Sequence, residues 1–380
     1  MHVANQSPVY DVEHLGHRMS GGHIPSPPKL APNLASGSHR QSGVEARRHI
    51  VMSHLAEISK HLRTLRGLNC SPESLESTYD EYLLPSLAKM ERAKNPNNTV
   101  TVLQNDFDDL TDIDPTKTRQ VLLTIPALAH VVAGDLRMVD GRLSVILFDS
   151  LGVMSNSPYS NPFAVEDMMM PLPEDAKMSV VCLNLQKSSD GCKAFSLTMA
   201  SKLAKSADYL DQLHQAHIRG GDDAFMIKAG TKRVSSTDGL NVYDRPGTVP
   251  ALMLKHAQSR TSLAGISTAQ QSQVINHKGQ TLLQRQSEKL VNRATLDQDG
   301  IAIKNLCFSA SIEDKRIDYI DRLTRYMQSA PAEDIDELAE AFDALIDERA
   351  MPSQAGLQLA ERSTGPKELI QRQSGRYLDF

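Results

Sequence analysis

Residues 178–185 read MSVVCLNL, residues 186–192 read QKSSDGC, and residues 193–203 read KAFSLTMASKL. The first segment is an apolar, β-branched run of strand length, and the second is a polar loop. In the third, Phe195, Met199 and Leu203 recur at i, i+4 and i+8, the spacing of one helix face. A strand that feeds a helix through a short loop is therefore predicted, with Cys192 at or near the helix N-terminus. The free backbone N–H groups and the helix dipole favour an anion there, which draws a thiol toward its nucleophilic thiolate form.

Two further β-rich runs lie upstream. Val121 to Ile125 continues through His130-Val131-Val132, and Leu143 to Phe148 follows the turn signal Asp140-Gly141. Strands that meet as a hairpin around that turn place His130 opposite Asp149 at the open end, as a hydrogen-bonded couple. Gln186 ends the third run, where its amide can face the thiol and, with the Cys192 N–H, stabilise an oxyanion. The thiol itself is expected to be only modestly buried. Cys182 and Cys307 sit inside apolar runs and read as inert core thiols, and Cys70 lies in a loop without an evident partner.

Residues 1–43 are rich in Ser, Pro, Gly and His and read as a disordered leader. Val51, Leu55, Ile58, Leu62 and Leu65 predict a helix over 44–66 whose other faces are basic, either a solvated surface or an anion site. A second helix is expected over 72–94, before Asn95-Pro96-Asn97-Asn98, and the region 207–300 is mixed and loop-rich. Ile335, Leu338, Phe342, Leu345 and Ile346 predict an amphipathic helix between Pro331 and Pro352.

The formal charge of −5 over 380 residues gives no global positive field and argues against a nucleic-acid partner. Four scattered cysteines offer neither a CxxC pair nor a metal-ligand cluster, so no metal is expected. The sequence has no apolar run of membrane-spanning length, and its start has no signal-peptide core. His2 stands where N-myristoylation needs glycine, so no stable membrane anchor is expected.

Ala129-His130-Val131-Val132, Leu147-Phe148-Asp149 and Leu185-Gln186-Lys187-Ser188-Ser189-Asp190-Gly191-Cys192 resemble the catalytic blocks of the YopJ family of type III secreted acetyltransferases. Leu254-Lys255-His256 and Phe308-Ser309-Ala310-Ser311-Ile312 resemble blocks of its HopZ branch from plant pathogens. The resemblance implies an α+β fold with an adenain-like or Ulp-like, papain-type cysteine-protease core near 117–232. Both flanks, 44–116 and 233–380, would build a helical regulatory domain. It also implies a protein secreted by a type III system into the host cytoplasm. There it would transfer acetyl from acetyl-CoA, through a Cys192 acyl-enzyme, to serine, threonine or lysine of host proteins.

His130, Asp149 and Gln186 would be the remaining catalytic residues. Lys187, Ser188, Ser189 and Lys255 would line the acetyl-CoA groove. Inositol hexakisphosphate would activate the enzyme through Arg48, Lys94 and Arg285. Asp149 stands where some members carry glutamate. The alternative reading is a cysteine protease of the deubiquitinase or deSUMOylase type. The absence of tryptophan weighs against it, because Ulp-like proteases resemble one another in a tryptophan beside the catalytic histidine. A non-enzymatic adaptor is the remaining rival.

Overall fold

The computed structural model describes residues 40–67, 74–103, 108–110, 112–125, 130–152, 172–187, 191–220, 232–237, 240–244, 249–263, 266–296 and 302–350. The leader and Cys70 lie outside these residues.

The core is a mixed sheet of seven strands: β1 (Thr101–Leu103), β2 (Gln120–Ile125), β3 (His130–Val139), β4 (Arg142–Asp149), β5 (Lys177–Cys182), β6 (Lys232–Thr237) and β7 (Leu240–Asp244). Their spatial order is β1-β2-β3-β4-β5-β7-β6. The run expected to continue from Val121 to Val132 is instead two antiparallel strands, with Ile125 opposite His130. Strands β3 and β4 form the expected hairpin, but its register, with Ala133 opposite Phe148, sets Asp149 level with Val132 and not directly opposite His130, which it meets diagonally. Asp140 and Gly141 both have positive φ, as a two-residue turn compatible with strand twist requires. Strand β4 pairs parallel with β5, and β5 with β7, so β4, β5 and β7 all end on the side where β3 begins. The sheet runs past both expected domain limits, since β1 precedes residue 117 and β7 follows 232.

One face of the sheet is covered by helices α3 (Cys192–Leu203) and α4 (Ala207–Ile218). Helix α3 is buried on every side rather than along one stripe, because α2 (Ser74–Lys94) and a later helix close over it. The flanks also contribute α1 (Arg40–Gly67), the short helices α5 (Thr268–Ser272) and α6 (Leu282–Glu288), a hairpin of β8 (Leu290–Leu296) and β9 (Ala302–Ser309), α7 (Ser311–Met327) and α8 (Ala332–Ala350). Helices α1, α2, α7 and α8 pack together, so segments from both ends of the chain share one core. Val51, Leu55, Ile58 and Leu62 of α1 bury the predicted stripe against it, each such side chain contributing about 1.5–3 kcal/mol. Cys307 is exposed, not core: on β9 it alternates with buried Phe308, and it points to the open face of the two-stranded sheet. Among the described residues no helix is long and apolar enough to cross a membrane, and no cluster of ligand side chains suits a metal ion.

Candidate active site

Three chain segments meet where β3 begins and β4 and β5 end. His130 is the first residue of β3, and Asp149 is the last of β4. His130 Nε2 lies 2.8 Å from Asp149 Oδ1, which also accepts the Leu151 N–H at 2.8 Å. Cys192 is the first residue of α3, and Gly191 caps it. Ser196, one turn further on, donates its Oγ–H to the Val131 carbonyl at 2.7 Å, which docks the start of α3 beside His130. The Cys192 side chain then lies within hydrogen-bonding reach of the imidazole. Because Nε2 is taken by Asp149, Nδ1 is the ring nitrogen left for sulfur.

The cluster is buried: His130 is 5% exposed, Asp149 2% and Cys192 4%. The thiol is therefore fully buried, contrary to the modest burial expected. Burial alone would push the imidazole down. Hydrogen bonds to Asp149 and to Cys192, with the charges of both, overcome it and raise His130 to about 10. A histidine held charged between a carboxylate and a sulfur is the cationic half of an ion pair at neutral pH.

After β5 the chain turns through Asn184, at φ 51°, and returns to the end of β4. Leu185 and Gln186 both donate their N–H groups to the Ser150 carbonyl, at 2.7 and 2.9 Å. Ser150 Oγ donates to Gln186 Oε1 at 2.8 Å, which fixes the orientation of that buried amide. Lys187 is exposed, with Nζ 2.8 Å from Asn184 Oδ1. Ser188 and Ser189 lie outside the described residues.

A second constellation lies in the flanking region, and here the structure regroups the cations singled out from the sequence. Arg48 donates to the carbonyls of Met327 at 2.5 Å and Ala330 at 3.2 Å, where α7 ends. Arg285 lies instead near the start of α7, among Lys255 and Lys315. Lys315 and Met327 are separated by about 18 Å of helix rise, so the structure does not bring Arg48 to Arg285. Lys94 is exposed at the end of α2.

Lys255 joins Arg285 rather than standing apart from it. Burial first, then the charges of Arg285, Lys315 and Lys205, lower its affinity for a proton. Lys202 on α3 was not singled out from the sequence. It is only 7% exposed, with one long contact of 3.4 Å to the Met253 carbonyl. Burial, then the charges of Lys255, Lys315 and Lys205, hold it well below the usual lysine range. His256 is buried in the same cluster and pushed down by burial and by Lys202, Lys255, Lys315 and Arg285. The buried Arg285 Nε has no hydrogen-bond partner. Lys315 pairs with Asp318 at 2.6 Å and Arg285 with Glu288 at 3.4 Å, but Lys202 and Lys255 have no ion pair among the described residues. Like charges crowded out of water in this way are costly, and an anion that brings several charges would relieve them.

A cysteine at a buried helix N-terminus, facing a histidine and an aspartate at the end of a mixed sheet, is the arrangement of the papain-like cysteine fold. The family model for YopJ serine/threonine acetyltransferases matches residues 51–322, and the chain belongs to that family. It is 27% identical over 195 residues to the serine/threonine-protein acetyltransferase YopJ of Yersinia pestis, a match covering 50% of this chain and 59% of YopJ. It is 24% identical over 217 residues to the serine/threonine-protein acetyltransferase HopZ1a of Pseudomonas syringae pv. syringae, covering 52% of this chain and 58% of HopZ1a. The chain thus spans less than two thirds of the curated relatives it matches.

Among solved structures, AvrA with IP6 and CoA superposes with a TM-score of 0.57 at 21% identity, over 72% of this chain and 98% of that one. HopZ1a in complex with IP6 and CoA gives 0.53 at 19% identity, over 73% and 98%. At these identities the likeness establishes the α+β fold with its papain-like core.

Proposed function

We propose that this chain carries an acetyl group from acetyl-CoA through Cys192 to a hydroxyl or amine of a host protein, in a state closed by inositol hexakisphosphate. The observation that carries the reading is His130, held between Asp149 and Cys192 and raised to about 10.

Acetyl-CoA supplies an activated acetyl thioester. The Cys192 thiolate attacks its carbonyl carbon, and the carbon–sulfur bond to the coenzyme breaks. The His130 imidazolium gives its proton to the departing thiolate and becomes a neutral base. The acceptor hydroxyl or amine then loses its proton to His130 as it attacks the acetyl-cysteine, which restores the thiolate and imidazolium. Asp149 holds the ring so that Nδ1 faces sulfur, and it stabilises the cation. The Cys192 N–H and the Gln186 amide serve the oxyanion in both steps. Exposed Lys187, with Ser188 and Ser189, would line the coenzyme side.

The second constellation fits the polyphosphate by its own chemistry, with one orphaned buried guanidinium N–H and with Lys202 and Lys255 lacking counter-charge among the described residues. Lys202, Lys205, Lys255, Arg285 and Lys315 would hold it, whereas Arg48 is occupied by carbonyls and Lys94 stands apart. These cations come from α3 and the turn after it, the 249–263 segment, α6 and α7. A shared anion would therefore fasten the 233–380 flank onto the catalytic part, and with it the 44–116 flank, whose α1 and α2 pack on α7. Residues 1–43 would serve as the leader for type III delivery into the host cell.

Intact-mass spectrometry with acetyl-CoA, with and without inositol hexakisphosphate, tests the reading. One acetyl group on Cys192, formed only with the polyphosphate present, is expected. No adduct under either condition would sink it.

A further inference from the structure

The segment from Leu183 to Lys187, which carries Gln186, is held from two sides. On the triad side its N–H groups bond the carbonyls of Asp149, Ser150 and Leu151 at 2.7–3.1 Å, and Ser150 Oγ bonds Gln186. These partners belong to the end of β4 and move with the sheet. On the other side stands Gln258, a fully buried residue that the sequence did not single out. Its N–H donates to the Leu185 carbonyl at 2.9 Å, and its Oε1 accepts the Lys187 N–H at 2.5 Å. Gln258 thus brackets Gln186 by bonding the residues before and after it.

The same residue is joined to the segments that carry the cation cluster. Lys255 and His256 lie three and two positions before it. Its carbonyl accepts the Ser309 N–H at 2.7 Å. Ser309 in turn leads to Ser311, whose Oγ lies 2.8 Å from His256 Nδ1 and which opens the helix bearing Lys315. The segments carrying Lys255 and Lys315 therefore meet at Gln258. Lys315 has Asp318 as its counter-ion at 2.6 Å whereas Lys255 has none among the described residues, so an anion shared by the two cations would hold their segments together and set where Gln258 stands.

We infer that Gln258 is a positioning residue: it transmits occupation of the cation cluster to the Gln186 amide by fixing the segment from Leu185 to Lys187. This rests on the polyphosphate reading above. A displacement of about 1 Å in an oriented group costs on the order of 100-fold in rate, so a bracket of this kind can switch an enzyme without touching the reacting atoms.

The test compares Gln258→Met, which keeps the size and the backbone bonds but removes the side-chain acceptor, with Gln258→Glu, which keeps an acceptor oxygen. By calorimetry, inositol hexakisphosphate is expected to bind Gln258→Met within about threefold of the unsubstituted protein, because no cation is removed. The activation produced by the polyphosphate is expected to fall by about 10- to 100-fold, mainly in kcat, and Gln258→Glu should recover most of it. Full activation of Gln258→Met overturns the inference while leaving the polyphosphate reading intact. Failure of the unsubstituted protein to bind the polyphosphate overturns both. Should the Met variant not fold, amide exchange in the unsubstituted chain decides: the Lys187 N–H should slow about tenfold or more on binding, and unchanged exchange contradicts the coupling.

Discussion

Two buried histidine–aspartate couples share strand β3 and behave in opposite ways. His130 faces Asp149 at 2.8 Å, and His214 of α4 faces Asp135 at 3.1 Å. Burial works against the charged ring in both. His130 is nonetheless raised to about 10, whereas His214 is pushed below the usual range by burial, which its bond to Asp135 does not overcome. The third partner makes the difference. Sulfur from Cys192 adds a second pull on the His130 proton. Asp135 already serves Arg137 Nε at 2.7 Å and Gln120 Nε2 at 2.8 Å, and the Arg137 charge repels a proton on His214. From His214 the chain of bonds continues through Ser144 to His217 and Ser179, a relay of neutral groups between sheet and helix. A histidine–carboxylate pair alone therefore says little about catalysis, and what stands on its far side decides.

The largest effect that sharpens this contrast is loss of the third partner at the first couple. Cys192→Ala and His130→Ala should each lower acetyl transfer by about 10⁴-fold or more, and the double variant should lose little beyond either single one, measured by steady-state kinetics. At the second couple, Arg137→Met should cost about 3 kcal/mol in denaturant unfolding, because Asp135 and Asp211 both lose a partner. It should also raise the His214 titration seen by NMR.

A smaller effect comes from acid. His217 is held down to about 3, by burial first and then by His214, Lys177 and Arg142. The unfolded chain binds a proton there near 6.5 that the folded one refuses, so this stability is present above that pH and falls as pH drops toward 3. Between pH 6.5 and 5 the loss is about 2 kcal/mol, and His217→Asn should flatten it in urea titrations. His130 has the opposite sign: its contribution is complete below pH 6.5 and fades as pH rises toward 10. Smallest, Lys202→Met should raise the stability of the ligand-free protein by about 1 kcal/mol, since an uncompensated buried cation is removed, while weakening polyphosphate binding in calorimetry.

The first couple was legible in the sequence because each of its residues stands at an element boundary. Apolar runs stop at Asp149, a polar loop stops at Cys192, and the Asp140-Gly141 turn sets the register between β3 and β4. Helix α7 escaped notice although Ile312, Tyr319, Ile320, Leu323 and Met327 recur at helical spacing, since charged residues break the run between them. Cys307 read as core because its neighbours are apolar, and only the open face of the β8–β9 hairpin shows otherwise. Lys202, Lys255, Arg285 and Lys315 lie on four segments whose meeting depends on tertiary packing, and no local spacing announces it. Arg48 is pointed to by the family resemblance, not by local spacing, and its guanidinium bonds the carbonyls at the end of α7. Gln258 left no sequence signal, because its role rests on hydrogen bonds to residues about 50 to 70 positions away.

The contrast between the two couples rests on the charge of His130, which NMR of ring-labelled histidine reads directly at pH 8. There the account expects His130 to be an imidazolium that releases its proton only near 10, with His214 and His217 neutral. In Cys192→Ala the His130 titration should move down. A neutral His130 at pH 8, or a titration indifferent to the loss of the thiol, would contradict it.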